Sequence, residues 1–178
     1  MYSFWLTGLP SAGKTTLGNY LHNTLKDQGI YSILIDGDEV RKTLCSDLGF
    51  SERDRYENIR RVASMAKLLN DAGYHTICCF VSPSNELREL ARTIIGRKNF
   101  IEIFIDTPLD ECIKRDIKGL YKKAINNQIP EFTGISAPYQ IPIKPDIIIN
   151  NEQLSIEDSG KVLMGKVIEI INRNKNIS

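Results

Sequence analysis

The run Gly8-Leu9-Pro10-Ser11-Ala12-Gly13-Lys14-Thr15 constrains this chain more than any other feature, because of what flanks it. The apolar Ser3-Phe4-Trp5-Leu6-Thr7 leads in as a strand, and residues 14–28 lead out as a helix ending at Gly29. A G-x-x-x-x-G-K-T spacing between strand and helix is a phosphate cradle. Gly8 and Gly13 let the backbone curl so that its N–H groups face the anion, and the helix N-terminus adds partial positive charge. Pro10, Ser11 and Ala12 form the wall. Lys14 is placed to reach the β- and γ-phosphates of ATP, and the Thr15 hydroxyl to bind Mg²⁺. Thr16 is counted with the cofactor-binding residues, although helix packing is its plainer role.

The rest of the chain alternates strand and helix. Short apolar runs at 31–35, 75–81, 100–105 and 146–149 join the first at 3–7. They do not alternate with polar residues, as expected of strands covered on both faces. A helix starting at Ser51, with Asp54 three residues on as a capping-box-like partner, runs to Gly73. Its apolar positions Ile59, Val62, Ala63, Ala66 and Leu69 share one face. Residues 87–95 and 109–113 read as shorter helices and 155–172 as the closing one. The expectation is a single α/β domain over residues 1–178 of the P-loop NTPase type. It is a three-layer sandwich with a parallel sheet of about five strands and helices on both faces. Residues 118–144, polar and carrying Pro130, Pro138 and Pro142, are too long for an ordinary connection. They are read as a mobile lid over about 116–144.

A net charge of +1 gives no basic field to recruit nucleic acid or a membrane surface. No apolar run approaches a membrane span. Cys45, Cys78, Cys79 and Cys112 form no C-x-x-C pair, and with no secretory leader evident the expected setting is a reduced cytoplasm.

The second strand ends in Asp36-Gly37-Asp38. Groups at the carboxyl ends of parallel strands face the ligand crevice. An acidic residue there can serve the Mg²⁺ shell or take the proton of an acceptor hydroxyl. The alternative is that Asp38 caps a helix beginning near Glu39. Among the cations that follow, Arg55 shares a helix face with Asn58 near the helix N-terminus, a favourable place for an anionic acceptor.

At these residues the chain resembles the adenylylsulfate kinase family. The resemblance runs from Phe4 to about Ile149. It is carried by the phosphate cradle, Ile35-Asp36-Gly37-Asp38, Asp47-Leu48-Gly49-Phe50-Ser51, Glu57-Asn58-Ile59-Arg60-Arg61, Phe80-Val81-Ser82-Pro83, Asp106-Thr107-Pro108-Leu109, Lys118-Gly119-Leu120-Tyr121-Lys122 and Phe132-Thr133-Gly134-Ile135. It implies a kinase of the ribose 3′-hydroxyl of adenylylsulfate, with a homodimer as a common assembly. It further implies Asp36 beside that hydroxyl and the Mg²⁺ shell, with Asp38 in support. Arg41, Arg55 and Asn58 would hold the acceptor's anionic groups, and Phe50 and Phe132 would sandwich its base. Val81 and Ser82 would line the acceptor pocket through main-chain contacts. Lys118 would lie near the transferring phosphate and Arg115 over the ATP base. The chain departs from the family pattern at Glu39, at Lys42-Thr43 and Cys45, and at Glu131 and Ser136. These changes fall around the acceptor, so a cytidine 5′-diphosphoramidate acceptor, used by relatives in capsule-sugar pathways, stands as the alternative. A generic small-metabolite kinase gives no reason for the Phe50 and Phe132 motifs. A non-catalytic nucleotide sensor gives none for Lys14, Thr15 and Asp36 together.

Overall fold

The computed structural model describes residues 1–151 and 154–175. Five strands form one all-parallel sheet in the order β2-β3-β1-β4-β5. They are β1 (Ser3–Thr7), β2 (Ser32–Asp36), β3 (His75–Cys79), β4 (Phe100–Asp106) and β5 (Ile147–Asn150). The helices are α1 (Lys14–Asp27), α2 (Gly37–Lys42), α3 (Glu52–Asp71), α4 (Asn85–Ile95), α5 (Leu109–Arg115), α6 (Leu120–Ile125) and α7 (Ile156–Lys175).

Period-2 alternation splits β1 to β4 between two cores, because successive side chains point to opposite faces, while the edge strand β5 buries one face only. Phe4 and Leu6 pack with Leu17, Leu21 and Leu25 of α1 and Leu163 and Val167 of α7. Trp5, between them, turns the other way and packs with Ile59, Val62 and Ala66 of α3 and Ala91 of α4. The result is the expected three-layer α/β sandwich. The chain order reverses direction around β1, so the crevice at its carboxyl end is where a ligand belongs.

Several boundaries differ from the sequence reading, each for a local reason. The second strand runs on to Asp36, and it is Asp36, not Asp38, that caps α2: its Oδ1 accepts from the Asp38 amide at 2.9 Å. The third strand stops at Cys79, and the chain beyond it turns through Ser82, which lies in the left-handed region with φ of 45°. Ser84 caps α4, which starts at Asn85, two residues ahead of the expected position 87. Ser51 caps α3 as its spacing with Asp54 predicts. Within the 116–144 segment lies a helix, α6, that the sequence reading did not separate from the lid. Asp116 accepts from the amides of Tyr121 and Lys122 and so closes its first turn.

Candidate active site

The carboxyl ends of β1, β2 and β3 open into one cavity of about 880 Å³, roofed by the lid. Pro10, Ser11, Gly13, Lys14, Thr15 and Thr16 form one end of it. Thr16 is exposed there and not packed within the helix layer, so the packing role does not hold. Gly8 and Ala12 do not line the cavity. Gly8 lies so close to β4 that a Cβ would meet the Ile105 carbonyl at 2.7 Å. Ala12 is fully buried, and its carbonyl accepts from Thr107 Oγ1, Asn151 Nδ2 and Arg115 at 2.9, 2.9 and 3.3 Å.

Lys14 is 8% exposed and donates to the Gly8 and Leu9 carbonyls at 3.0 and 2.7 Å. Burial lowers its pKa to about 8. The Thr15 hydroxyl donates to Asp36 Oδ2 at 2.7 Å, so the two residues assigned to Mg²⁺ meet although 21 residues apart. Their hydroxyl and carboxylate form a hard oxygen donor pair, which suits a cation that keeps waters and substrate phosphates in its remaining positions. Among the described residues no cluster of three or more His, Cys, Asp or Glu offers an all-protein cage. Lys118 of the lid pairs with Asp38, bridging lid and α2 across the cavity mouth. Arg115 lines the cavity beside Gly13 and donates to the Asn151 carbonyl at 2.9 Å.

The other end holds the residues assigned to the acceptor. The Arg41 guanidinium lies over the Phe50 ring, 4.2 Å from its centroid, and donates to the Gly49 carbonyl. Arg55 donates to Phe50 O, Thr133 Oγ1 and Glu131 O, so it fastens α3 to the lid as well as facing the cavity. Burial pulls both guanidinium pKa values down. Asn58 is 5% exposed, and its Oδ1 has no protein partner in a cavity it lines. A buried amide oxygen left open is costly unless a ligand donates to it. Phe50 is 58% exposed, while Phe132 is half-buried, edge-on to Tyr121 with centroids 5.0 Å apart. Val81 and Ser82 line the wall between the two ends. The Ser82 hydroxyl accepts from Trp5 Nε1 at 3.0 Å, which ties this residue of the wall to the core behind it.

The departures from the family pattern fit locally. Glu39 pairs with Lys42 on the surface. Glu131, at a position where the family has glycine, keeps a glycine-like φ of 52°. Ser136 Oγ accepts from the Phe132 amide at 2.9 Å, a bond its short side chain can make without a carboxylate. Cys45 is buried and does not line the cavity.

Sequence reasoning quoted Thr107, Tyr121 and Thr133 within motifs without giving them a role, and it missed Asn151. Tyr121 donates to Pro10 O at 3.0 Å, and Asn151 sits just past β5. The signal for Asn151 was available: a polar residue closing an apolar strand on the ligand side of a parallel sheet.

The family model described as adenylylsulphate kinase matches residues 2–150. An adenylyl-sulfate kinase of Bacteroides thetaiotaomicron is 46% identical over 95% of this chain and 84% of its own. A probable adenylyl-sulfate kinase of Halalkalibacterium halodurans is 50% identical over 87% of this chain and 77% of its own. The Mycobacterium tuberculosis APS kinase, solved with AMPPNP and APS, superposes with a TM-score of 0.90 at 39% identity, covering 93% of this chain and 96% of that one. With the family model matched over five-sixths of its length and such relatives spanning most of both partners, this chain belongs to the adenylylsulfate kinase family.

Proposed function

We propose that this protein transfers the γ-phosphate of ATP to the ribose 3′-hydroxyl of adenylyl sulfate. The observation that carries this is one continuous cavity with a phosphate cradle at one end and the Phe50, Phe132, Arg41 and Asn58 group at the other. The acceptor base lies between the two phenylalanines, held by its π-faces. Its anionic groups face Arg41 and Arg55, and Asn58 Oδ1 receives a donor from the nucleotide. Val81 and Ser82 offer main-chain contacts.

ATP lies with its phosphates on the 8–15 loop, Lys14 against the β- and γ-phosphates and Arg115 over the base. Thr15 and Asp36 would hold Mg²⁺, which when bound would supply charge neutralisation to the phosphates. The acceptor oxygen attacks the γ-phosphorus in line. The bond to the bridging oxygen breaks, ADP leaves with its electron pair, and the hydroxyl proton passes to Asp36. Lys118, released from Asp38, meets the charge on the transferring group, and Asp38 keeps Asp36 fixed through the α2 cap. Catalysis is positioning plus electrostatic stabilisation, with no covalent protein intermediate. Four buried free thiols and dependence on ATP are in keeping with a cytoplasmic setting; among the described residues no helix is long and apolar enough to cross a membrane. The expected assembly is a homodimer, which sedimentation checks.

The test is ADP release with adenylyl sulfate, with cytidine 5′-diphosphoramidate and with no acceptor, the product being identified by mass. Stimulation by adenylyl sulfate with one added phosphate on its ribose is the expected result. Stimulation by the cytidine compound alone, or by neither, overturns the reading.

A further inference from the structure

Arg88 lies on α4, outside the cavity, and is 2% exposed. A charge buried this deeply is strongly destabilising unless it is paired and hydrogen-bonded. One partner is Glu102 of β4, itself 5% exposed, with Oε1 2.9 Å from Arg88 Nε. That approach is off-axis, and neither atom completes a hydrogen bond. The well-formed bonds go elsewhere. Nη1 donates to the Ser82 carbonyl at 2.6 Å, and Nη2 to the Gln140 carbonyl and Asn85 Oδ1, also at 2.6 Å.

Those partners connect two separate segments. Ser82 belongs to the cavity wall and holds a φ of 45°, unusual for a residue with a Cβ. Gln140 belongs to the returning leg of the lid. Its amide donates to the Pro83 carbonyl at 2.8 Å, and its Oε1 accepts from the Asn85 amide at 2.9 Å. Tyr139, next to it, is 2.9 Å from Thr7 Oγ1, whose own proton goes to the Val81 carbonyl at 2.7 Å. Tyr139 is therefore the donor of that pair, and burial raises its phenol to about 12, so the proton is present at neutral pH.

We infer that Arg88 is a positioning residue for the acceptor site: its fork locks the strained 81–83 wall to the lid's returning leg, so that wall and lid hold one geometry when the acceptor binds. A planar fork is needed because two carbonyls and a side-chain amide oxygen lie around one guanidinium, a pattern an ammonium meets less well. The ATP end shares none of these bonds.

The kinetic arm rests on the proposed acceptor; the exchange arm does not. Arg88→Lys is to be compared with Arg92→Lys. Arg92 also pairs with Glu102, at 2.9 Å, but touches neither the wall nor the lid. Arg88→Lys should raise the acceptor KM roughly 10- to 100-fold while ATP KM stays within about twofold. Amide exchange at Asn85 and Gln140 should quicken, with β1 unchanged. Arg92→Lys should lower thermal stability and leave both KM values alone. Tyr139→Phe, which keeps the ring stack on Phe104, is the second variant should Arg88→Lys not fold, and it should raise the acceptor KM in the same sense. Equal losses for ATP and acceptor, an identical kinetic loss in Arg92→Lys, or unchanged exchange at Asn85 and Gln140 would overturn the assignment. Wild-type protein inactive on adenylyl sulfate would sink the acceptor reading while the exchange comparison still decides the role of Arg88.

Discussion

The Lys14 ammonium sits inside the protein and donates to two carbonyls of its own loop. Burial brings its pKa from 10.5 to about 8. A base with a lowered folded-state pKa destabilises the nucleotide-free protein below about pH 8, and that penalty fades as pH climbs from there towards 10.5. ATP reverses the balance, because its phosphates favour the charged lysine. Binding above pH 8 must then take up a proton. The kcat/KM for ATP is expected to fall about tenfold per pH unit above about 8, a limb that reports the free enzyme. A flat profile between pH 8 and 9.5 would show that Lys14 keeps its proton unaided. At the other end of the cavity, Phe132 carries a prediction of a different kind. Loss of one stacking face costs about 1–3 kcal/mol, so Phe132→Ala should raise the acceptor KM roughly 5- to 150-fold with ATP KM little changed. The ring also meets Tyr121, whose hydroxyl reaches Pro10 O, so equal loss for both ligands would mean that the lid had collapsed onto the cradle. Phe132→Leu, which keeps an apolar edge against Tyr121, separates the two outcomes.

At the scale of elements, the phosphate cradle depends on three that lie far along the chain. Thr107 after β4, Arg115 at the end of α5 and Asn151 after β5 all donate to the Ala12 carbonyl. Asn151 is held in turn by Ser159 of α7, which donates to its Oδ1 at 3.0 Å, and its Nδ2 lies 2.7 Å from where a Cβ on Gly13 would stand. Gly13, at φ of 106°, can adopt the turn and leave that space. The cradle was legible in the sequence because its residues are contiguous, whereas this anchor was not, because it is assembled from two strand ends and a helix end far apart along the chain. Arg88 was hidden for a related reason. Its helix read only as a short one over 87–95, and the clue lay 14 residues on, in Glu102 amid the apolar run Phe100-Ile101-Glu102-Ile103-Phe104. Asn151→Ala should remove a buried bond worth about 1–2 kcal/mol, raising ATP KM roughly 5- to 30-fold with the acceptor KM unchanged. Steady-state rates with each substrate varied in turn check this, and an acceptor-side effect would place Asn151 elsewhere in the machinery.

For the whole molecule, the parallel sheet and its layers followed from a pattern that repeats along the chain, while the strand order came from the structure. Parallel strands covered on both faces read as unbroken apolar runs, and the helices between them carry one apolar stripe each. The lid did not read so clearly, since α6 is six residues long and owes its form to Asp116 and to packing of Tyr121 and Ala124 beneath it. The layer of α1 and α7 allows stability to be tested apart from catalysis. The two helices meet where Gly160 faces Tyr20, and a Cβ at Gly160 would stand 2.6–2.7 Å from the Tyr20 ring. Gly160→Ala gains about 1 kcal/mol of helix propensity. It must also push the ring aside, and overpacking of this kind costs about 1–3 kcal/mol. The ring lies flat against the helix, so its body must move and the second effect should win, lowering Tm by several degrees at about 2–4 °C per kcal/mol for a chain of this size. Neither residue lines the cavity, so both KM values and kcat should hold at temperatures well below the transition. Calorimetry and initial rates on the same preparation decide it. A raised Tm would mean that Tyr20 swings out at little cost. A changed KM would mean that the α1–α7 contact reaches the cradle through α1, whose first residue is Lys14.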